Sequence, residues 1–110
     1  MSKYHNRKTE VDGITFDSKH EALRWVELNY MQRAGLISDL KRQVRFQLVP
    51  PIRKDGKVVQ RAVDYVADFT YQQNGNLVVE DAKSEATKTD VYKIKKKLML
   101  WLKNVEVKEV

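Results

Sequence analysis

From Val63 to Tyr71 apolar residues fall on alternate positions: Val63, Tyr65, Ala67, Phe69 and Tyr71. A period of two is the signature of a strand with one face on a core, and it places Asp64 and Asp68 on the other face. A second apolar run ends in Val78-Val79-Glu80-Asp81-Ala82-Lys83. Between the runs stands Asn74-Gly75, the strongest short signal for a two-residue type I′ hairpin. That turn sets the register: Gln73 pairs with Asn76, Tyr71 with Val78, Phe69 with Glu80, and Asp68 with Asp81. Asp81 and Lys83 then share one face while Glu80 and Ala82 share the other.

The rest of the pattern predicts a small αβ unit. Thr9 to Val11 and Ile14 to Phe16 form a short hairpin around Asp12-Gly13. Ser18 to Ala34 reads as a helix with Leu23, Val26 and Tyr30 on one stripe, Ala22 and Trp25 flanking it, and Gly35 as a C-terminal cap. A long strand comes next, with Leu40, Val44, Phe46 and Leu48 on one face and Lys41, Gln43, Arg45 and Gln47 on the other, until Pro50-Pro51 interrupts pairing. Lys54-Asp55-Gly56-Lys57 is a turn, and Val58 to Tyr71 gives one or two strands. Thr89 or Asp90 caps a second helix from Val91 to about Lys103, with an apolar stripe of Val91, Ile94, Leu98 and Trp101. Val105 and Val107 suggest a final strand.

Composition narrows the functional classes. With 110 residues, 42% of them apolar, the chain suffices for one core, taken as a single domain over residues 9–110 behind a flexible basic arm at residues 1–8. Its formal net charge of +6 points to an anionic partner, and nucleic acid fits better than a membrane because no long apolar segment exists. The absence of cysteine excludes disulfides, thiolate catalysis and cysteine-based zinc sites. The polar start, without the apolar stretch of a signal peptide, predicts a cytoplasmic protein.

Two directly opposed carboxylates destabilise a sheet unless something neutralises them. Asp68 and Asp81 are therefore candidates for holding a divalent cation, and oxygen ligands favour Mg²⁺ or Mn²⁺. No small-molecule cofactor is expected. Glu21 has two readings: with Ser18 it forms a capping box, Ser18-Lys19-His20-Glu21, and from the first turn of the helix it could equally face the carboxylate pair. Lys93, Lys96 and Lys97 form a cationic ridge; with Lys41, Arg42, Arg45 and Lys88 they are candidates for phosphate contacts, with solvated surface as the ordinary alternative.

The order helix, three strands, helix, strand, with Asp68 on the second strand and Asp81-Ala82-Lys83 on the third, resembles the PD-(D/E)XK nuclease superfamily. From Lys3 to about Leu98 the chain is similar to short, mostly phage-encoded members described as Holliday-junction-resolvase-like. The segments carrying the similarity are Lys3 to Arg7, Asp12 to Trp25, Tyr65 to Phe69 and Val78 to Lys83. The resemblance implies a restriction-endonuclease-like α/β core with a mixed central sheet flanked by helices, here preceded by the N-terminal hairpin. It implies Asp68, Asp81, Lys83 and Glu21 as catalytic residues, and Asp68, Asp81, the Ala82 carbonyl and Glu21 as holders of Mg²⁺. Ala67 stands where the motif has proline, and Ser84 where relatives often have glycine. The implied activity is endonucleolytic hydrolysis of DNA, on branched or plain substrates, in the cytoplasm of a bacterium or phage-infected host. A homodimer stays open, since resolvases usually pair two sites to cut symmetric strands. The rival class is a non-catalytic nucleic-acid-binding domain on a nuclease scaffold.

Overall fold

The computed structural model describes residues 8–110, so most of the basic arm and the Lys3 to Arg7 segment lie outside the described residues. An N-terminal hairpin, β1 (Thr9–Val11) and β2 (Ile14–Phe16), leads into helix α1 (Lys19–Arg33). Then come β3 (Ser38–Val49), a ribbon of β4 (Ile52–Lys54) and β5 (Lys57–Gln60), the long β6 (Val63–Gln73), β7 (Asn76–Asp81), α2 (Asp90–Lys103) and β8 (Lys108–Glu109). The central sheet has the order β3-β6-β7-β8. Its first two pairings are antiparallel and the last is parallel, so the predicted mixed sheet with two helices is present. The β4–β5 ribbon is an additional two-stranded sheet.

The β6–β7 register is the one the turn predicts as far as the ladder runs: Gln73 pairs with Asn76, Tyr71 with Val78 and Phe69 with Glu80, where the ladder ends, so the predicted Asp68–Asp81 pair is not part of it. Asn74 at φ 52° and Gly75 at φ 80° both lie in the left-handed region that a type I′ turn requires. Helix α1 begins on Ser18, whose Oγ accepts from the Glu21 amide at 3.1 Å. Helix α2 begins on Thr89, whose hydroxyl accepts from the Tyr92 amide at 3.1 Å, and ends on Asn104 at φ 55°.

Two cores form on opposite faces of the sheet. Phe16, Ala22, Leu28, Ile37, Phe69 and Tyr71 pack under α1, while Leu48, Tyr65, Ala67, Val79, Tyr92, Met99 and Val107 pack under α2. The neighbours Val78 and Val79 on β7 go to the first and second cluster respectively, which places the clusters on either side. Burying Leu28, Phe69 or Met99 stabilises the fold by about 1.5–3 kcal/mol each.

This arrangement corrects four expectations. On β6, Tyr65 and Ala67 belong to the α2 core but Phe69 and Tyr71 to the α1 core, so the alternating run does not share one face. On β3, likewise, Leu40 packs against the α1 core whereas Phe46 and Leu48 belong to the α2 side. Both strands change sides at the same level: the ladder steps from Arg42–Phe69 to Val44–Ala67 over Gln43 and Asp68, and Gln43 has φ 54°. A left-handed residue inside a strand rotates the chain beyond it and re-aims the side chains.

The third correction concerns the helices. Ala22, Trp25 and Leu28 face the sheet from α1, leaving Leu23 58% and Tyr30 65% exposed. On α2 the buried residues are Tyr92 and Met99; of the predicted stripe only Leu98 packs against the core, while Val91, Ile94 and Trp101 are exposed. Each helix carries apolar residues on more than one side, and periodicity alone does not say which side meets the sheet. The last strand is Lys108–Glu109, with Val105 and Val107 packed in the α2 core instead.

Candidate functional site

At the level where β3 and β6 change sides, the two acids of the hairpin meet. The Asp68 amide donates to Asp81 Oδ1 at 3.1 Å, and the Ala82 amide donates to Asp68 Oδ2 at 2.9 Å. Asp81 Oδ2 accepts from the Tyr65 hydroxyl, so both Asp81 oxygens have donors, and the residue is 2% exposed. Glu80 points to the other face, where Arg24 Nε and Nη2 hold its carboxylate at 2.8 and 2.6 Å and the Tyr71 hydroxyl also donates to it. The strand parity read from the sequence thus separates Glu80 from Asp81.

Helix α1 supplies the third acid. Ser18 caps the Glu21 amide, while the Glu21 carboxylate faces Gln43 Nε2 at 3.5 Å and Arg42 Nη2 at 4.0 Å. Gln43 Nε2 lies equally 3.5 Å from Asp68 Oδ1, so one amide spans the two carboxylates. Glu21, Asp68, Ala82 and Lys83 line a single cleft of about 470 Å³, with Asp17 and His20 at its border. Lys83 also borders a smaller hollow of about 280 Å³ together with Asp81, Tyr65 and Tyr92, and its Nζ lies 4.7 Å from the centre of the Tyr92 ring.

Crowding and burial oppose ionisation. The Glu21 carboxyl is pushed up to about 7, first by burial and then by the charges of Asp68 and Asp17, against the pull of Arg42. Asp81 is raised to about 6, again chiefly by burial, with Asp68 adding repulsion and the Tyr65 hydroxyl opposing it. The Tyr65 hydroxyl is itself pushed above its ordinary value by burial and by its bond to Asp81.

These shifts carry a sign. An acid raised in the folded chain holds its proton more tightly there than when unfolded, so its contribution to stability is lost as pH rises from 4.5 to about 7 for Glu21. Asp81 acts in the same direction from 3.8 to about 6. Glu21→Gln is therefore expected to raise the melting temperature in EDTA, by an amount that grows from pH 5 to pH 8. A difference between variant and wild type that stays constant over that range would refute the electrostatic account.

Glu21 Oε1 and Asp68 Oδ1 are held only by long contacts, each 3.5 Å from Gln43 Nε2. Mg²⁺ keeps several waters and takes one or two carboxylates, which suits this pair in a cleft that Ala82 also lines. Among the described residues, no group of three or more His, Cys, Asp or Glu side chains is arranged to hold a metal ion as it stands. Asp81 would have to release Tyr65 or the Asp68 amide to join as a ligand.

The cations nominated for phosphate contacts divide into two groups. Lys41, Arg42 and Arg45 lie on β3, one edge of the sheet. Lys41 is 3.5 Å from Asp39, Arg45 is 2.9 Å from Asp64, and the Arg42 guanidinium covers the Phe16 ring at 4.7 Å. Lys88, Lys93, Lys96 and Lys97 line a hollow of about 390 Å³ beside β8 at the opposite edge, where Glu109 lies 3.2 Å from Lys88 and 3.4 Å from Lys96.

The model of one protein family, described as "Protein of unknown function (DUF1064)", matches residues 1–109. The chain belongs to DUF1064. No curated protein and no solved structure matches it. In this DUF1064 protein the sequence pattern misses Gln43 and Tyr65. Alternation puts Gln43 on a solvent face, because nothing in its neighbours announces a left-handed residue. It makes Tyr65 a core residue and no more, although a buried tyrosine hydroxyl needs a partner, and that requirement is the available signal.

Proposed function

We propose that this protein is a metal-dependent DNA endonuclease of the PD-(D/E)XK type, with a restriction-endonuclease-like core. The observation that supports this reading most is the grouping of Glu21, Asp68, Ala82 and Lys83 around one cleft, with Asp81 braced behind Asp68. The proton affinities of Glu21 and Asp81 are raised by burial and by the charge of Asp68, which favours a cation among these carboxylates, and a lysine beside them favours an anionic substrate.

Glu21, Asp68 and the Ala82 carbonyl would hold Mg²⁺ or Mn²⁺, with Asp81 completing the set or fixing Asp68 in place. Bound there, the ion would neutralise charge developing on the phosphate and lower the pKa of an attacking water. Lys83 would orient that water or help to deprotonate it, and Tyr92 supports its side chain from below. Gln43 keeps Glu21 and Asp68 at a common distance. The products would be a 5′-phosphate and a 3′-hydroxyl.

The test is digestion of labelled duplex, flap and four-way-junction DNA, with RNA in parallel. Cleavage of DNA in Mg²⁺ or Mn²⁺, abolished by EDTA, is the expected result. Glu80→Gln, assayed well below its melting temperature, should still cleave, whereas Asp81→Asn should not. The reverse outcome would remove Asp81 from the site. A second reading, a nucleic-acid-binding domain without catalysis, is favoured by the bonds that already satisfy Asp81 and one oxygen of Asp68. It requires DNA affinity that is equal with and without Mg²⁺ and leaves every substrate intact.

A further inference from the structure

Every residue from Pro50 to Arg61 is exposed, the β4–β5 ribbon included, so this segment buries nothing against either core. A two-stranded hairpin without a packed face is marginal in water. This one carries Arg53, Lys54, Lys57 and Arg61 against one acid, Asp55. Lys54 and Lys57 are direct partners across the turn, an opposition of like charges that destabilises a hairpin. Among the described residues, ion pairs hold Arg24, Lys41, Arg45, Lys88 and Lys96, but no such pair engages these four cations. Between them Ile52, Val58 and Val59 stand about half exposed.

We propose that the β4–β5 ribbon is a DNA-gripping arm, laid along the major groove of duplex DNA with its four cations on the flanking phosphates. The proposal rests on DNA being the partner of the cleft. Strands lie about 4.8 Å apart, and a two-stranded ribbon with side chains fits a major groove about 12 Å wide. Phosphates neutralise the Lys54–Lys57 opposition, and thymine methyl groups suit the valines. The reach also matches: Lys57, beside the ribbon's turn, precedes Asp68 by eleven residues, at most about 36 Å of extended chain at roughly 3.3 Å per residue. That is about one helical turn of DNA, roughly 34 Å.

The test compares R53Q/K54Q/K57Q/R61Q with a charge-matched control, K19Q/R33Q/K103Q/K108Q, using a fluorescent 30-base-pair duplex in EDTA over a salt series. The ribbon variant is expected to bind at least about tenfold more weakly than the control near 0.1 M salt. Its log K against log salt should be flatter by about 0.9 for each phosphate released, at most roughly 3.6. If the fourfold variant melts early, K54Q/K57Q reads the same change with a loss of up to about 1.8.

Equal affinity and slope in ribbon variant and control overturn the arm and leave the nuclease reading standing. An unchanged slope with loss of a dimer on sizing also overturns it, in favour of contact with a second copy. Weakened binding by the ribbon variant, with no cleavage of any DNA by wild type, keeps the arm and removes the nuclease. No duplex binding by any of the proteins overturns the arm, and digestion of flap and junction DNA in Mg²⁺ then decides the nuclease reading by itself.

Discussion

Asp68→Asn is expected to abolish metal-dependent cleavage while leaving the fold intact. Its Oδ1 is held only by a long contact to Gln43 at 3.5 Å, and its Oδ2 accepts from the Ala82 amide at 2.9 Å. Asparagine keeps the shape and one carbonyl acceptor but removes the charge that attracts a cation. Metal ions stabilise the transition state by several kcal/mol, and at 1.36 kcal/mol per tenfold that corresponds to roughly a thousandfold or more in rate. Single-turnover cleavage in Mg²⁺ measures the loss, and duplex binding in EDTA should stay within about threefold of wild type, because removing a negative charge does not weaken attraction to phosphate. A variant that still cleaves within tenfold of wild type would show that Asp68 does not hold the ion.

Arg24→Ala is expected to be the most damaging single substitution for stability. Its guanidinium grips Glu80 with two hydrogen bonds, and Glu80 is 0% exposed. Removing the arginine strands a buried carboxylate, and breaking a buried pair from one side costs about 3–5 kcal/mol. A domain of this size loses roughly 4 °C or more per kcal/mol, so the melting temperature should fall by more than about 10 °C. The combined variant Arg24→Met, Tyr71→Phe, Glu80→Leu should recover most of the loss, because it removes both charges together with the buried hydroxyl that donates to Glu80 and keeps apolar volume. If the single variant melts within a few degrees of wild type, Glu80 is not dependent on Arg24.

The two results separate parts of the molecule that differ in how far they are legible in the sequence. The hairpin is legible because Asn74-Gly75 admits few alternatives, and its register, which runs as far as Phe69–Glu80, brings Asp68 beside Asp81 just past the ladder's end and turns Glu80 away. The helix limits are legible through Ser18, Thr89 and Gly35, whose roles at helix ends are local. The packing faces are not. Both helices carry apolar residues on two sides, and only the partner surface chooses between Leu28 and Leu23 or between Met99 and Trp101. Nor does alternation along β6 reveal that Ala67 and Phe69 serve different cores, because a change of side leaves the pattern of apolar residues unaltered. Gln43 is exposed, as alternation places it, but its contacts with Glu21 and Asp68 are hidden by that same invisibility.

The change of side at Gln43 and Asp68 leaves a polar level between the two apolar clusters. Among the described residues, no core side chain belongs to both clusters. A substitution at Gln43 therefore alters the long contacts of Glu21 and Asp68 without removing an apolar contact from the packing that holds the protein together.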